Sequence, residues 1–329
     1  MARQVLVTGA SGFVGRILCD ALLKRDMRVR AAVRDQRVEL GNAVEVCEVG
    51  EIGSRTDWNR PLQGMEWVIH LAARAHRSGR TVASDRRAYQ EVNVAGTARL
   101  VAAAARSGVA RFVYLSSVKV NGEFNSNKAY TAQDAPNPAD PYAKSKWEGE
   151  LAVHDNSLRS GMQWATVRAP LVYGAGVRGN FLRLMKWVDR GTVLPLGAVR
   201  NLRSLINVWN LVDALIRVAE HPAAPGRVWM VSDGADISTP DLIRALARAM
   251  GKQARLVSLP VTLLHLAGTL TGQGAEVARL CSSLVVDISE TRSQLDWTPP
   301  LTLAEGLART VAWYESRSRA LSGAGMAIA

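Results

Sequence analysis

The stretch QVLVTGASGFVGRILCDALL, residues 4–23, constrains this chain more than any other. An apolar run passes into three glycines, Gly9, Gly12 and Gly15, and then into a helix that begins VGRILCDALL. Glycines at that spacing let the backbone turn sharply from strand to helix and approach a pyrophosphate, whose charge sits at the helix N-terminus. Alone the triplet is a weak signal. Between a strand and a helix at the start of a βαβ pattern it is a strong one.

Further apolar runs follow at VRAAV (29–33), VEVCEV (44–49), WVIHLA (67–72), RFVYLSS (111–117) and WATVRA (164–169), with helical patterns between them. Several are apolar almost throughout, as expected of parallel strands covered by helices on both faces. The alternation predicts a doubly wound α/β domain. After Pro170 come loops with Gly and Arg, a helix near FLRLMKWV (181–188), a strand at RVWMVSD (227–233) and more helices. One of these is expected to be capped by Thr239, to start at Pro240 and to stop at Gly251. The expected division is a nucleotide-binding domain over 1–172, with a segment of about 201–233 returning to it, and a smaller α+β substrate domain over 173–200 and 234–316. Residues 317–329 read as a loose tail.

With 329 residues, 48% of them hydrophobic, the chain is long enough for one large or two closely joined domains. The formal net charge of +12 admits nucleic acid, an anionic membrane surface or anionic small molecules. The arginines are scattered, without long basic runs or interleaved aromatics, so nucleic acid is the weaker option. No window of about 18 apolar residues is free of charges or breakers, and MARQVLVTGA runs straight into a strand; a cytoplasmic protein is expected. Cys19, Cys47 and Cys281 lack metal-ligand spacing and read as small core residues. The histidines offer no metal set either: His70 belongs to a strand, His76 to a loop, and His154, His221 and His265 lie far apart.

Tyr142 and Lys146, in DPYAKSK, stand four residues apart, so phenol and ammonium share one helix face. A tyrosine with a reference pKa of about 10 is a poor base, but a nearby ammonium and a bound nicotinamide cation favour its phenolate. It then exchanges a proton with an alcohol or a ketone. Upstream, Ser116 and Ser117 end an apolar strand, where a hydroxyl is placed to hydrogen-bond the same reacting oxygen.

Taken together, TGASGFVG (8–15), HLAA (70–73), NVAGT (93–97), SSVKVNG (116–122), YAKSK (142–146), RAPLVYG (168–174), RSLINV (203–208) and LDWTPP (295–300) resemble an extended short-chain dehydrogenase/reductase of the nucleotide-sugar epimerase/dehydratase type. The resemblance implies a Rossmann-type fold and a homodimer. It marks Ser117, Tyr142 and Lys146 as catalytic, Ser117 being the serine five residues before Gly122. It implies cofactor contacts from Gly9, Gly12, Phe13, Val14, Gly15, Leu71, Ala72, Ala73 and Asn93, and from Tyr142 and Lys146 themselves. Glu51 and Ile52 take the place of an Asp-Ile pair beside the adenine. Asn180, Arg203 and Arg279 match residues that hold a nucleotide diphosphate, with Ser117 touching the sugar; for Arg279 a surface cation is the plain alternative. Dehydratases of this type carry an acid pair after the catalytic hydroxyl, and Val118 and Lys119 stand there instead, leaving alcohol/ketone exchange.

The cofactor reading turns on AAVRDQ (31–36). An acid at the end of the second strand accepts hydrogen bonds from the ribose hydroxyls of NAD, whereas an arginine accommodates the 2'-phosphate of NADP. Val33 leaves the acid position empty and Arg34 follows it, favouring NADP(H); Asp35 keeps NAD(H) as the alternative. The function expected first is therefore a UDP-4-keto-hexose or UDP-N-acetyl-6-deoxyhexosamine 4-reductase in surface polysaccharide synthesis. A 4-epimerase with retained NAD, a small-ketone reductase and a non-catalytic NADP-binding regulator are the alternatives.

Overall fold

The computed structural model describes residues 2–74, 82–125 and 128–326; His76 lies outside them. The strands in chain order are β1 Gln4–Thr8, β2 Arg28–Val33, β3 Glu45–Glu48, β4 Trp67–His70, β5 Arg111–Ser117, β6 Gln163–Ala169, β7 Leu171–Tyr173, β8 Leu205–Asn207 and β9 Arg227–Met230. Seven of them form one sheet in the order β3-β2-β1-β4-β5-β6-β9, every neighbouring pair parallel. β7 and β8 make a separate parallel pair. The seven strands of the main sheet fall on the apolar runs, β3, β4 and β9 being shorter than the runs that carry them, and β1 stops at Thr8, where Gly9 takes a φ of +67°.

Strand order reverses between β1 and β4, so a crevice opens beyond their carboxyl ends, where open α/β sheets bind ligands. Both sheet faces are packed, which is why β4 is buried at every residue and is apolar up to His70 at its end. Leu18 and Leu22 of the helix Phe13–Leu23 meet Leu211 and Leu215 of the helix Val208–Glu220 on one face. Leu100, Val101, Ala104, Phe112 and Val153 fill the other. A further core, around Phe181, Met185, Leu246, Leu307 and Val311, gathers the C-terminal helices. Phe13 packs against that core from the glycine turn.

Three local expectations are corrected. The helix Thr239–Ala249 is capped by Ser238, whose hydroxyl accepts from the Asp241 N–H, and not by Thr239, which is already helical and buried. Residues 317–326 continue the helix Leu303–Met326 instead of forming a tail, since no proline interrupts that run. Cys281 is half-buried on the helix Gly274–Cys281, while Cys19 and Cys47 are core residues as expected.

The helix Pro141–Ser160 carries Tyr142 and Lys146, and its seat is set from both ends. Asp140 caps it by accepting from the Ala143 N–H at 2.7 Å, Pro141 supplies the preset first turn, and Gly161 ends it at φ +73°. Midway, Glu150 takes two hydrogen bonds from Arg168 of β6, at 3.0 and 2.6 Å, with both side chains buried. Arg168 also donates to Asn121, just beyond β5. Removing one partner of such a pair strands a buried charge. Arg168→Met should therefore lower unfolding free energy by about 3–5 kcal/mol in a denaturant titration, and Arg168→Met with Glu150→Leu should recover most of it.

Candidate active site

Local geometry at the first crevice wall explains each glycine. A Cβ on Gly9 would stand 2.8 Å from the Ala72 nitrogen, and one on Gly15 would stand 2.2 Å from the Gly9 oxygen. The Gly12 N–H closes the turn onto the Gly9 carbonyl at 2.9 Å. The helix that follows has neither a side-chain cap nor an acid in its first turn, so its N–H groups and positive dipole end face an anion without competition. That cradle fits a dinucleotide pyrophosphate. Leu71, Ala72 and Ala73 follow β4 directly opposite, and the Ala72 N–H is held by Thr8 Oγ1. His70, buried beneath them between Thr8 and Thr97, is pushed down to about 3 by burial and by the Lys146 charge, so it is neutral and structural.

At the far edge Arg34 and Glu51 are both exposed and lie within 3.4 Å of each other, while Ile52 is buried. An open pocket of about 520 Å³, lined by Glu51, Gly53, Thr56 and Glu91 among others, adjoins them. Asp35 is held by Arg37 Nε at 3.0 and 2.9 Å, which brings its carboxyl below the usual range.

Ser117, half-buried, closes β5 and accepts from the Lys119 N–H at 3.3 Å; Ser116 faces the opposite way and is buried. Lys146 donates to the Leu115 carbonyl at 2.7 Å and lies 4.0 Å from the centre of the Tyr114 ring. Asn93 sits in a π-helical turn, Gln90–Gly96, and donates to Ser145 of the catalytic helix at 2.9 Å. Gly149 permits that approach, since a Cβ there would meet Tyr114 and the Asn93 carbonyl.

Burial dominates the titration of the pair. The Tyr142 phenol is pushed up to about 12 by desolvation, by Asp140 and by Tyr89, whose ring stands 6.0 Å away edge-on. Lys146 is held down to about 7 by desolvation, with Glu150 partly opposing. The phenol of the free protein is therefore a proton donor. The phenolate needs a further cation beside it, which an oxidised nicotinamide supplies when bound.

The residues matched to diphosphate binding are brought into one neighbourhood by the C-terminal segments. Arg203 donates to the carbonyls of Arg279 and Ser282, and Asn180 accepts from Arg183, which pairs with Glu276 on the helix of Arg279. Arg279 itself pairs with Glu123 at 3.1 Å. Periodicity did not single out Asp140, Glu123, Glu150 or Arg168. Only the Asp-Pro step before the helix was a readable signal for the first of them.

A tyrosine and a lysine on one helix, together with a glycine turn at the switch point of a parallel sheet, define a nicotinamide-dependent enzyme of the extended short-chain dehydrogenase/reductase class. Residues 5–232 match the NAD dependent epimerase/dehydratase family, and the chain belongs to it. A UDP-glucose 4-epimerase of Vibrio cholerae is 40% identical over 323 residues, 97% of this chain and 98% of its own. N-acetyl-alpha-D-glucosaminyl-diphospho-ditrans,octacis-undecaprenol 4-epimerase of Escherichia coli O157:H7 is 28% identical over 94% of this chain and 95% of its own. Among solved structures, MoeE5 in complex with UDP-glucuronic acid and NAD aligns with a TM-score of 0.78 at 25% identity, covering 95% of this chain and 99% of that one. Among the described residues no helix is long and apolar enough to cross a membrane, and no group of three or more His, Cys, Asp or Glu is placed to hold a metal ion.

Tyr142→Phe should lower single-turnover hydride transfer by about 100- to 10,000-fold while cofactor affinity, read by fluorescence titration, stays near wild type. A second consequence concerns stability. Lys146 binds its proton more weakly folded than unfolded, so between about pH 7 and its ordinary value near 10.5 the unfolded chain holds more protons and stability rises with pH. Denaturant titrations at pH 7 and 10 should show wild type gaining on Lys146→Met by up to a few kcal/mol over that interval.

Proposed function

We propose that this enzyme reduces the C4 ketone of a UDP-linked hexose, N-acetylated or 6-deoxy, using NADPH. Tyr142 gives its proton to the ketone oxygen, Ser117 donates a hydrogen bond to the same oxygen, and Lys146 holds the nicotinamide ribose and stabilises the phenolate left behind. Bound NADPH would supply the hydride that, with the proton of Tyr142, converts the ketone to the alcohol. Asn180, Arg203 and Arg279 hold the diphosphate, a task suited to guanidinium forks.

The observation that carries the reductive direction is the cofactor edge. Val33 ends β2 without an acid, Arg34 is exposed beside it, and Asp35 is occupied by Arg37. A 2'-phosphate there would compete with Glu51 for the Arg34 guanidinium, and the Asp35 carboxylate is already held by Arg37.

The second reading, a 4-epimerase that retains NAD, is favoured by the Vibrio cholerae relative. Such an enzyme returns the hydride to its own intermediate and needs no exchange of cofactor.

Two measurements separate them. The nucleotide released on denaturing the purified protein is identified, and the protein is then incubated with UDP-N-acetylglucosamine or UDP-glucose without added cofactor. Little retained nucleotide, together with NADPH oxidation by a UDP-4-keto-6-deoxyhexosamine, is expected; tightly held NAD with interconversion to the galacto isomer would install the epimerase. Arg34→Ala should weaken NADPH by roughly 10- to 100-fold and leave NADH nearly unchanged, the size expected for a lost hydrogen bond to a charged group.

A further inference from the structure

Four charged side chains from four segments form one continuous line of contacts beside the catalytic groups. Asp140 caps the catalytic helix; Lys119 lies in the turn Val118–Val120 that follows Ser117; Glu123 is in the next loop; Arg279 is on the helix Gly274–Cys281. Lys119 Nζ donates to Asp140 at 2.6 Å and to Glu123 at 3.3 Å, and Glu123 accepts from Arg279 at 3.1 Å. Lys119, Asp140 and Glu123 are each less than a third exposed, so these contacts are screened less than surface pairs.

Lys119 therefore touches both proton-handling elements. Its backbone N–H is donated to Ser117 Oγ, and its ammonium is held by the carboxylate whose other oxygen fixes the first turn of the Tyr142 helix. We propose that Lys119 is a positioning residue: it ties the turn carrying Ser117 to the cap of the helix carrying Tyr142 and so sets the two hydroxyls against one reacting oxygen. This rests on the ketone/alcohol chemistry proposed above.

The tie has an electrostatic side. The groups that act on the Tyr142 phenol are Asp140 at the helix cap and Tyr89 from the helix Val82–Tyr89; Lys146 stands one turn along the same helix as Tyr142. Of these Asp140 carries a full negative charge, and Lys119, with Arg279 beyond it, compensates that charge. Burial alone would raise the Asp140 carboxyl, but the Lys119 ammonium and the Ala143 N–H bring it below its ordinary value. Without Lys119, Asp140 keeps only the more distant Arg279 as counter-charge and opposes formation of the phenolate more strongly.

Lys119→Met and Lys119→Arg are compared with wild type. Tyrosinate absorbance of the NADP⁺ complex is titrated against pH, with Tyr142→Phe subtracted, so that the arm needs no sugar substrate. Tyr142 should titrate about one pH unit higher in Lys119→Met and at the wild-type pH in Lys119→Arg. Where wild type turns over the UDP-4-keto-sugar, Lys119→Met should lower kcat by about 10- to 100-fold with KM near wild type, and Arg should rescue it. An unchanged Tyr142 titration in the Met variant overturns the proposal, as does a wild-type kcat or a loss that Arg fails to restore. Absence of turnover by wild type counts against the substrate assignment alone, and the titration then decides for Lys119.

Discussion

The candidate site depends on the seating of one helix. Pro141–Ser160 delivers Tyr142 and Lys146, and its place against the sheet is set by the buried Arg168–Glu150 pair together with the Asp140 cap. Paired burial of opposite charges contributes little net stability compared with apolar packing. Its value here is directional, because two hydrogen bonds from one guanidinium fix the helix in rotation and in height. The same arginine reaches Asn121, so β6, the loop after β5 and the catalytic helix share a single anchor.

Desolvation at that seat prepares the chemistry. A lysine as buried as Lys146 resists protonation, and a phenol beside a carboxylate resists ionisation. The free protein thus keeps both groups nearer their neutral forms. A cofactor cation would favour the phenolate, which would couple readiness for proton exchange to occupation of the crevice. The π-helical turn at Asn93 and the bare Gly149 belong to the same arrangement, since both allow the neighbouring segment to approach the helix that carries the pair.

At the opposite end of the crevice the electrostatics are simpler and more exposed. Arg34, Glu51, Asp35 and Arg37 lie in two ion pairs at the edge of β2 and β3, where solvent screens them. Weak pairs of this kind rearrange readily around a phosphate, in contrast to the locked network at Tyr142. The protein thus combines an adaptable nucleotide end with a rigid reacting end.

Much of the fold was legible in the sequence because parallel strands covered on both faces must be apolar along their length. The seven strands of the main sheet follow from that requirement, and the glycine turn from its φ values and close approaches. Tyr142 and Lys146 were legible because helical spacing places them on one face. The pair β7–β8 was not, since three-residue strands carry too little periodicity to be distinguished from loop. Nor were the partners of Arg168, Lys119 and Arg279, which lie 18, 21 and 156 residues from them in the chain. A charged residue in a sequence declares its charge and not its counterion. Sequence by itself determined the sheet, the glycine turn and the shared helix of Tyr142 and Lys146, which follow from local backbone and periodic constraints. Tertiary structure alone decided which charges meet, because only the folded chain brings distant segments close enough for desolvation and Coulomb attraction to act.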